Sequence, residues 1–224
     1  MNKVMRFFLC LLFFLTLSFW IFQLAQASTA ASAAAWVRYP QQTLILDAGH
    51  GGEDGGAVSL SGVPESGINL SIVLKVDQLA GLYGVRTKLT RDTDTSIADS
   101  SAKTLREKKR SDLYNRAALV NETPGAVLLS VHQNNHSAKS ASGAQVFFRN
   151  DSESVLWAQH TQQLLRETLG TDPKREATRI AKKVYLMNHI NCRAILVECG
   201  FLSTLGRISC CSRRTIRPSW PWCL

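Results

Sequence analysis

The chain has no Cys-x-x-Cys pair, no internal repeat and only 6 prolines in 224 residues. Of its 6 cysteines, Cys10 lies in the first apolar run and Cys210, Cys211 and Cys223 lie near the end. With only Cys192 and Cys199 in the body, a disulfide framework is not indicated. Cys199 reads as a small buried residue, not a nucleophile. Few prolines and a hydrophobic content of 45% exclude a disordered chain. No nucleic-acid-binding motif is present. The formal charge of +9 does not supply one, because Lys3, Arg6, Arg207, Arg213, Arg214 and Arg217 sit at the two ends. Setting those six aside leaves 20 basic against 17 acidic residues.

Long apolar runs are also scarce, and the one present is at the start. Residues 7–22 are apolar, come after two basic residues and lead into small residues, with Ala25-Gln26-Ala27 resembling a cleavage site. This is the layout of a secretory signal over residues 1–27. An uncleaved anchor is the alternative, the run being slightly short of the ~20 residues that span a bilayer. Either way the basic end stays inside and the body is exported. Residues 28–41, rich in Ala and Ser, read as a linker. The body beyond the linker is long enough for one domain with a real core.

Apolar patterning predicts strands at 43–47, 85–90, 126–131, 144–148, 183–187 and 194–198. Helices are expected from the spacing of Ile68 to Leu82, ending near Gly84, and at 112–121 and 153–169. The polar stretch 93–109 reads as a loop. Strands alternating with helices imply an α/β three-layer sandwich, its twisted sheet mostly parallel and flanked by helices.

Titratable residues stand where the apolar strands stop. His50 comes after the first strand inside GHGGEDGG, His132 ends LLSVH, and Glu198 lies in ILVECGF. In open α/β sheets ligands bind beyond the carboxyl ends of the strands, so these groups would share one crevice. Two imidazoles and a carboxylate with an open position match a catalytic zinc site. Each also has a plainer reading: a hydrogen-bonded structural histidine, a glutamate paired with Lys or Arg, a simple glycine loop or an anion nest. The turn lacks the Lys-Ser/Thr ending of a nucleotide P-loop.

In order and spacing, LILDAGHGGEDGGA, PESGINLS, SDLYNRAALVN, LLSVHQNNHS, SGAQVFF and ILVECGFLS resemble the zinc-dependent N-acetylmuramoyl-L-alanine amidases of the cell-wall type. The resemblance covers about residues 43–203. The segment between the second strand and SDLYNR, the short N-terminal apolar stretch and the lack of a wall-binding repeat are most similar to the germination-specific, spore-cortex members. The resemblance implies that Zn2+ is bound by His50, Glu65 and His132 and that Glu198 is the catalytic carboxylate. The reaction it implies is hydrolysis of the amide between N-acetylmuramic acid and L-alanine in peptidoglycan. The enzyme is expected to act outside the cytoplasm as a monomer, touching membrane only through its N-terminal segment. The glycines would let the backbone turn sharply and bring His50 close to the metal. His136 is a weaker ligand candidate, Glu53 and Asp54 are solvated or support the ligands, and His160 and His189 have no assigned role.

The sequence departs from the family in two places. Ser66-Gly67 replaces a charged pair after Glu65, and glycine there costs about 1 kcal/mol of helix propensity relative to alanine. Residues 204–224 carry four arginines, three cysteines, two tryptophans and no acidic residue. Family members continue instead with Asn-Pro, acidic residues and a terminal amphipathic helix. A frameshift replacing that helix is expected, which would leave an apolar face of the sheet uncovered. The alternatives to an active amidase (domain 42–203) are then an impaired remnant that at most binds cell wall, or another zinc hydrolase with the same ligand set.

Overall fold

The computed structural model describes residues 5, 12–23, 42–135, 143–169 and 174–202. The Ala25-Gln26-Ala27 site, the linker at 28–41, His136 and the tail at 204–224 lie outside them. The chain divides into two units, Met1–Gln41 and Gln42–Leu224. In the first, residues 12–23 are helical (α1) and expose apolar side chains that include Phe13, Phe14 and Trp20. Among the described residues no helix is long and apolar enough to cross a membrane.

The second unit runs β1 (Thr43–Ala48), α2 (Glu65–Leu82), β2 (Thr87–Leu89), α3 (Leu105–Asn121), β3 (Ala126–Asn134), β4 (Gln145–Phe148), α4 (Ser152–Leu169), β5 (Thr178–Arg179), α5 (Tyr185–Asn188) and β6 (Ala194–Phe201). Six strands form one sheet in the order β2-β1-β3-β6-β4-β5. Of the pairings between these strands, the β4–β6 one is antiparallel and the rest are parallel. Alternation along the strands decides the layers. Ile45, Leu128 and Leu196 meet Ala117 and Val120 of α3 and Leu186 and Met187 of α5. On the opposite face Leu46 and Val131 meet Val73 of α2, while Val146, Ile195 and Val197 meet Ala158 of α4. The sheet is therefore covered on both sides, as the strand–helix alternation predicts.

Helix ends follow local chemistry. Beyond α2, Gly84 takes φ 68°, and Val85 N donates to Ala80 O at 2.9 Å while Gly84 N donates to Gly81 O at 3.1 Å. These two bonds close a Schellman cap where the glycine predicted one. α3 starts seven residues earlier than the expected 112: Thr104 and Glu107 form a reciprocal capping box, which converts the end of the predicted loop into helix. The strand expected at 183–187 is corrected to the single turn α5. Leu186 and Met187 are consecutive and both pack into the same layer with Ile45 and Leu128, whereas a strand would send them to opposite faces. The edge pairing of β5 covers two exposed residues, too few for a periodic signal.

Candidate metal centre

The turn after β1 carries the first candidate ligand. His50 has φ 62°, a left-handed conformation that few non-glycine residues adopt. Two glycines beside it are required by close approach. A Cβ on Gly49 would stand 2.2 Å from His132 Cε1, and one on Gly56 would stand 2.7 Å from both Glu65 Oε2 and His50 Cδ2. The glycine-rich stretch thus packs directly against His50, Glu65 and His132.

Those three converge from the turn, α2 and β3. One donor atom of each of His50, Glu65 and His132 lies within 4.8 Å of the others. Glu65 Oε1 is 3.4 Å from His50 Nε2 and 3.0 Å from His132 Nδ1. On its other edge His50 Nδ1 donates to Asp54 Oδ2 at 2.9 Å. A bond held there turns Nε2 toward the cluster, where it presents its lone pair once its own proton is given up, the arrangement by which carboxylates orient metal-binding histidines. Lys109 pairs with the other Asp54 oxygen at 3.0 Å, while Glu53 pairs with Lys108. Of the two acids in the loop, only Asp54 supports the cluster.

Glu65 is 3% exposed in the first turn of α2. Its Oε1 accepts from Asn69 Nδ2 at 3.2 Å and Gln133 N at 3.1 Å, and its Oε2 from Ala57 N at 3.0 Å. Burial alone would raise its carboxyl. Hydrogen bonds from the two imidazoles and the Ala57 amide outweigh burial and hold it well below the usual carboxylate range. His50 moves the opposite way: burial disfavours its cation, but Glu65 and Asp54 raise its pKa above the ordinary histidine value.

Glu198 stands beside His132 because the two are register partners on adjacent parallel strands. Burial first, and then the charge of Glu65, push its carboxyl up to about 7 against the opposing pull of His132 and His50. Its Oε2 is buried and makes no hydrogen bond among the described residues. A buried, orphaned oxygen next to two imidazoles and an ionised carboxylate marks a place built for something further.

A polar layer beneath the cluster carries no sequence signature of a site. Asp47 is 1% exposed and accepts from Arg116 Nη1 at 2.6 Å, Ser130 Oγ at 2.6 Å and Thr90 Oγ1 at 2.8 Å. Arg116 also grips Asp112 at 2.6 Å. Asp47, Asn69, Arg91 and Arg116 are not among the site residues that the sequence predicts. The available signal is an acid inside an otherwise apolar strand and an Asp–Arg pair four apart on a helix. His160 is exposed and His189 Nδ1 donates locally to Tyr185 O at 2.8 Å; neither reaches the cluster.

Comparison with known proteins identifies the family. Residues 44–209 match the N-acetylmuramoyl-L-alanine amidase family. The germination-specific N-acetylmuramoyl-L-alanine amidase of Bacillus subtilis is 34% identical over 161 residues, covering 71% of this chain and 67% of that protein. LytC of the same organism, an N-acetylmuramoyl-L-alanine amidase, is 26% identical over 75% of this chain, which spans only 31% of its length. Among solved structures, the CwlD amidase of Clostridioides difficile, in complex with the GerS lipoprotein, superposes with a TM-score of 0.72 at 31% identity, covering 77% of this chain and 88% of that one. With fold, motif order and family match in agreement, the chain belongs to the N-acetylmuramoyl-L-alanine amidase family of cell-wall enzymes.

Proposed function

We propose that this chain is a zinc-dependent enzyme that cleaves the amide between the lactyl group of N-acetylmuramic acid and L-alanine of peptidoglycan, in spore-cortex maturation. The observation that carries this reading is the meeting of His50, Glu65 and His132 beside the unpartnered Glu198 carboxyl. The donor set fits the ion: two imidazole nitrogens and one carboxylate oxygen, with a further position open, are the catalytic zinc pattern. Glu65 is held ionised, as a ligand must be. When bound, zinc supplies Lewis acidity, polarising the scissile carbonyl and acidifying water.

The chain's own residues do the rest. Asp54 holds the His50 tautomer, and Asn69 with the Gln133 amide holds Glu65 in place. Glu198 accepts a proton from the attacking water and returns it to the leaving amine. Burial and the charge of Glu65 push its carboxyl up to about 7, and a neighbouring positive charge draws it lower and favours the base form.

Similarity to the germination-specific amidase of Bacillus subtilis supports the cortex assignment. In this reading residues 1–27 export or anchor the chain, 28–41 are a linker, and 42–203 form a monomeric catalytic domain acting outside the cytoplasm. Purified protein should bind stoichiometric zinc and release stem peptide from a muramyl-peptide substrate. Absence of metal, or release of a different product such as acetate, overturns the assignment. Bound zinc without turnover would favour the impaired wall-binding remnant suggested by the composition of 204–224.

A further inference from the structure

The turn that carries His50 hangs from two buried arginines. Arg91, just beyond β2, donates from Nε to Ala48 O at 2.9 Å and from Nη2 to Gly49 O at 3.1 Å. The same Nη2 reaches Ser66 O at 2.8 Å, beside Glu65 at the start of α2. Arg116 of α3 donates from Nη1 to Ala48 O and from Nη2 to His50 O, both at 2.8 Å. Three consecutive carbonyls therefore accept from guanidinium groups that are only 4% and 1% exposed. The backbone they grip is the segment in which His50 takes its left-handed conformation.

Charge balance alone does not call for this arrangement. A single cation between Asp47 and Asp112 offsets one of their two charges, and lysine would supply that charge equally well. Spanning two carboxylates and two carbonyls at once needs a planar fork with five donors, which only arginine offers. The far side of the fork is anchored through Asp47 to Ser130 of β3 and through Asp112 to α3. The turn is thus tied to three elements by groups that touch none of the four site side chains except through their backbone.

We infer that Arg91 and Arg116 are positioning residues for the metal centre: by holding the carbonyls of Ala48, Gly49 and His50 they set the direction in which the His50 imidazole points. The inference rests on the zinc reading and concerns how one ligand is aimed.

The test uses the full chain with Arg116→Lys, with Ser130→Ala as control. Ser130→Ala removes a different hydrogen bond from the same buried Asp47 and touches no turn carbonyl. Zinc affinity is read by competition with a chromophoric chelator, the Co2+-loaded site by its visible absorption, and the apo fold by thermal unfolding. Arg116→Lys should fold, lose at least tenfold in zinc affinity and shift the Co2+ bands. Ser130→Ala should lower the apo unfolding midpoint while zinc affinity stays within twofold and the Co2+ bands stay put. A folded Arg116→Lys with wild-type affinity and spectrum overturns the inference, as does equal loss in Ser130→Ala. If Arg116→Lys does not fold, Arg91→Lys is read by the same criteria, and wild-type behaviour there overturns it. Wild-type protein that takes up no zinc or Co2+ would instead overturn the metal reading itself, which separates the two failures.

Discussion

The imidazole of His132 lies where a side chain on Gly49 would have to stand, with His132 Cε1 and Nε2 at 2.2 and 2.3 Å from an added Cβ. The sheet forces this proximity. Ala48 pairs with Val131 in the β1–β3 ladder, so the next residue on each strand meets the other. A backbone bond from Gly49 N to Val131 O at 3.0 Å holds them there.

Alanine should therefore act in opposite directions at two glycines. Gly49→Ala must displace the His132 ring, costing about 1–3 kcal/mol in overpacking and weakening zinc binding at least tenfold. At Gly67, in the first turn of α2, an added Cβ meets nothing within 4 Å. Gly67→Ala should stabilise the protein by up to about 1 kcal/mol. Urea unfolding and zinc titration of both variants check the pair of signs.

Glu198→Gln keeps the shape of the side chain and removes its basicity. It should retain the fold and stoichiometric zinc while turnover falls about 10²–10⁴-fold. Metal content and peptide release on the same preparation decide it; full activity would assign the proton transfer to another group.

Asp54 touches the centre only through His50 Nδ1. Asp54→Asn should cost about 10–100-fold in zinc affinity, the usual scale for a residue that orients a ligand. His50→Ala removes the ligand itself and should abolish stoichiometric binding and turnover together. Equal losses in the two variants would contradict the assigned division of roles.

Acid should unfasten the layer beneath the site. Burial pushes the Asp47 carboxyl up, but Arg116 and the Ser130 hydroxyl bring it below its ordinary value. A folded-state pKa below the unfolded one gives stability that is fully present above about pH 4 and is lost as pH falls through the folded value. Glu65, also lowered, adds to the same window. Glu198 and His50, both shifted upward, take up protons on folding, so unfolding free energy should rise as pH falls from neutral toward about 4 and decline below it as Asp47 and Glu65 lose their charge. Asp47→Asn, which leaves Arg116 with one carboxylate, should cost about 3–5 kcal/mol at pH 7 and flatten the acid decline. Urea midpoints measured from pH 2.5 to 7 would reveal either result, and an unchanged midpoint at pH 7 would mean that the ion pair contributes no net stability.

The layered α/β architecture is legible in the sequence because its signals are local. Short apolar strand runs, helical spacing from Ile68 to Leu82 and the glycine at 84 each announce themselves within a few residues. α5 reads as a strand because four residues are too few to separate one helical turn from an extended segment. The start of α3 is readable in principle, since Thr104 and Glu107 have capping-box spacing, but the surrounding polar run masks it. His50, His132 and Glu198 stand out as titratable groups at the ends of apolar strands. Glu65 does not, because a glutamate in the first turn of a helix is ordinary, and it enters only through resemblance to the family.

What the sequence by itself determined is which backbone conformations the segments adopt and which polar residues their ends present, since both depend on near neighbours. Tertiary structure alone decided that Arg116, 69 positions from Asp47 and 66 from His50, would hold both. It also decided that the space of a missing Gly49 side chain would be filled by His132. Such pairings depend on strand register and helix docking, and burial of the charges leaves them no solvent to pair with instead.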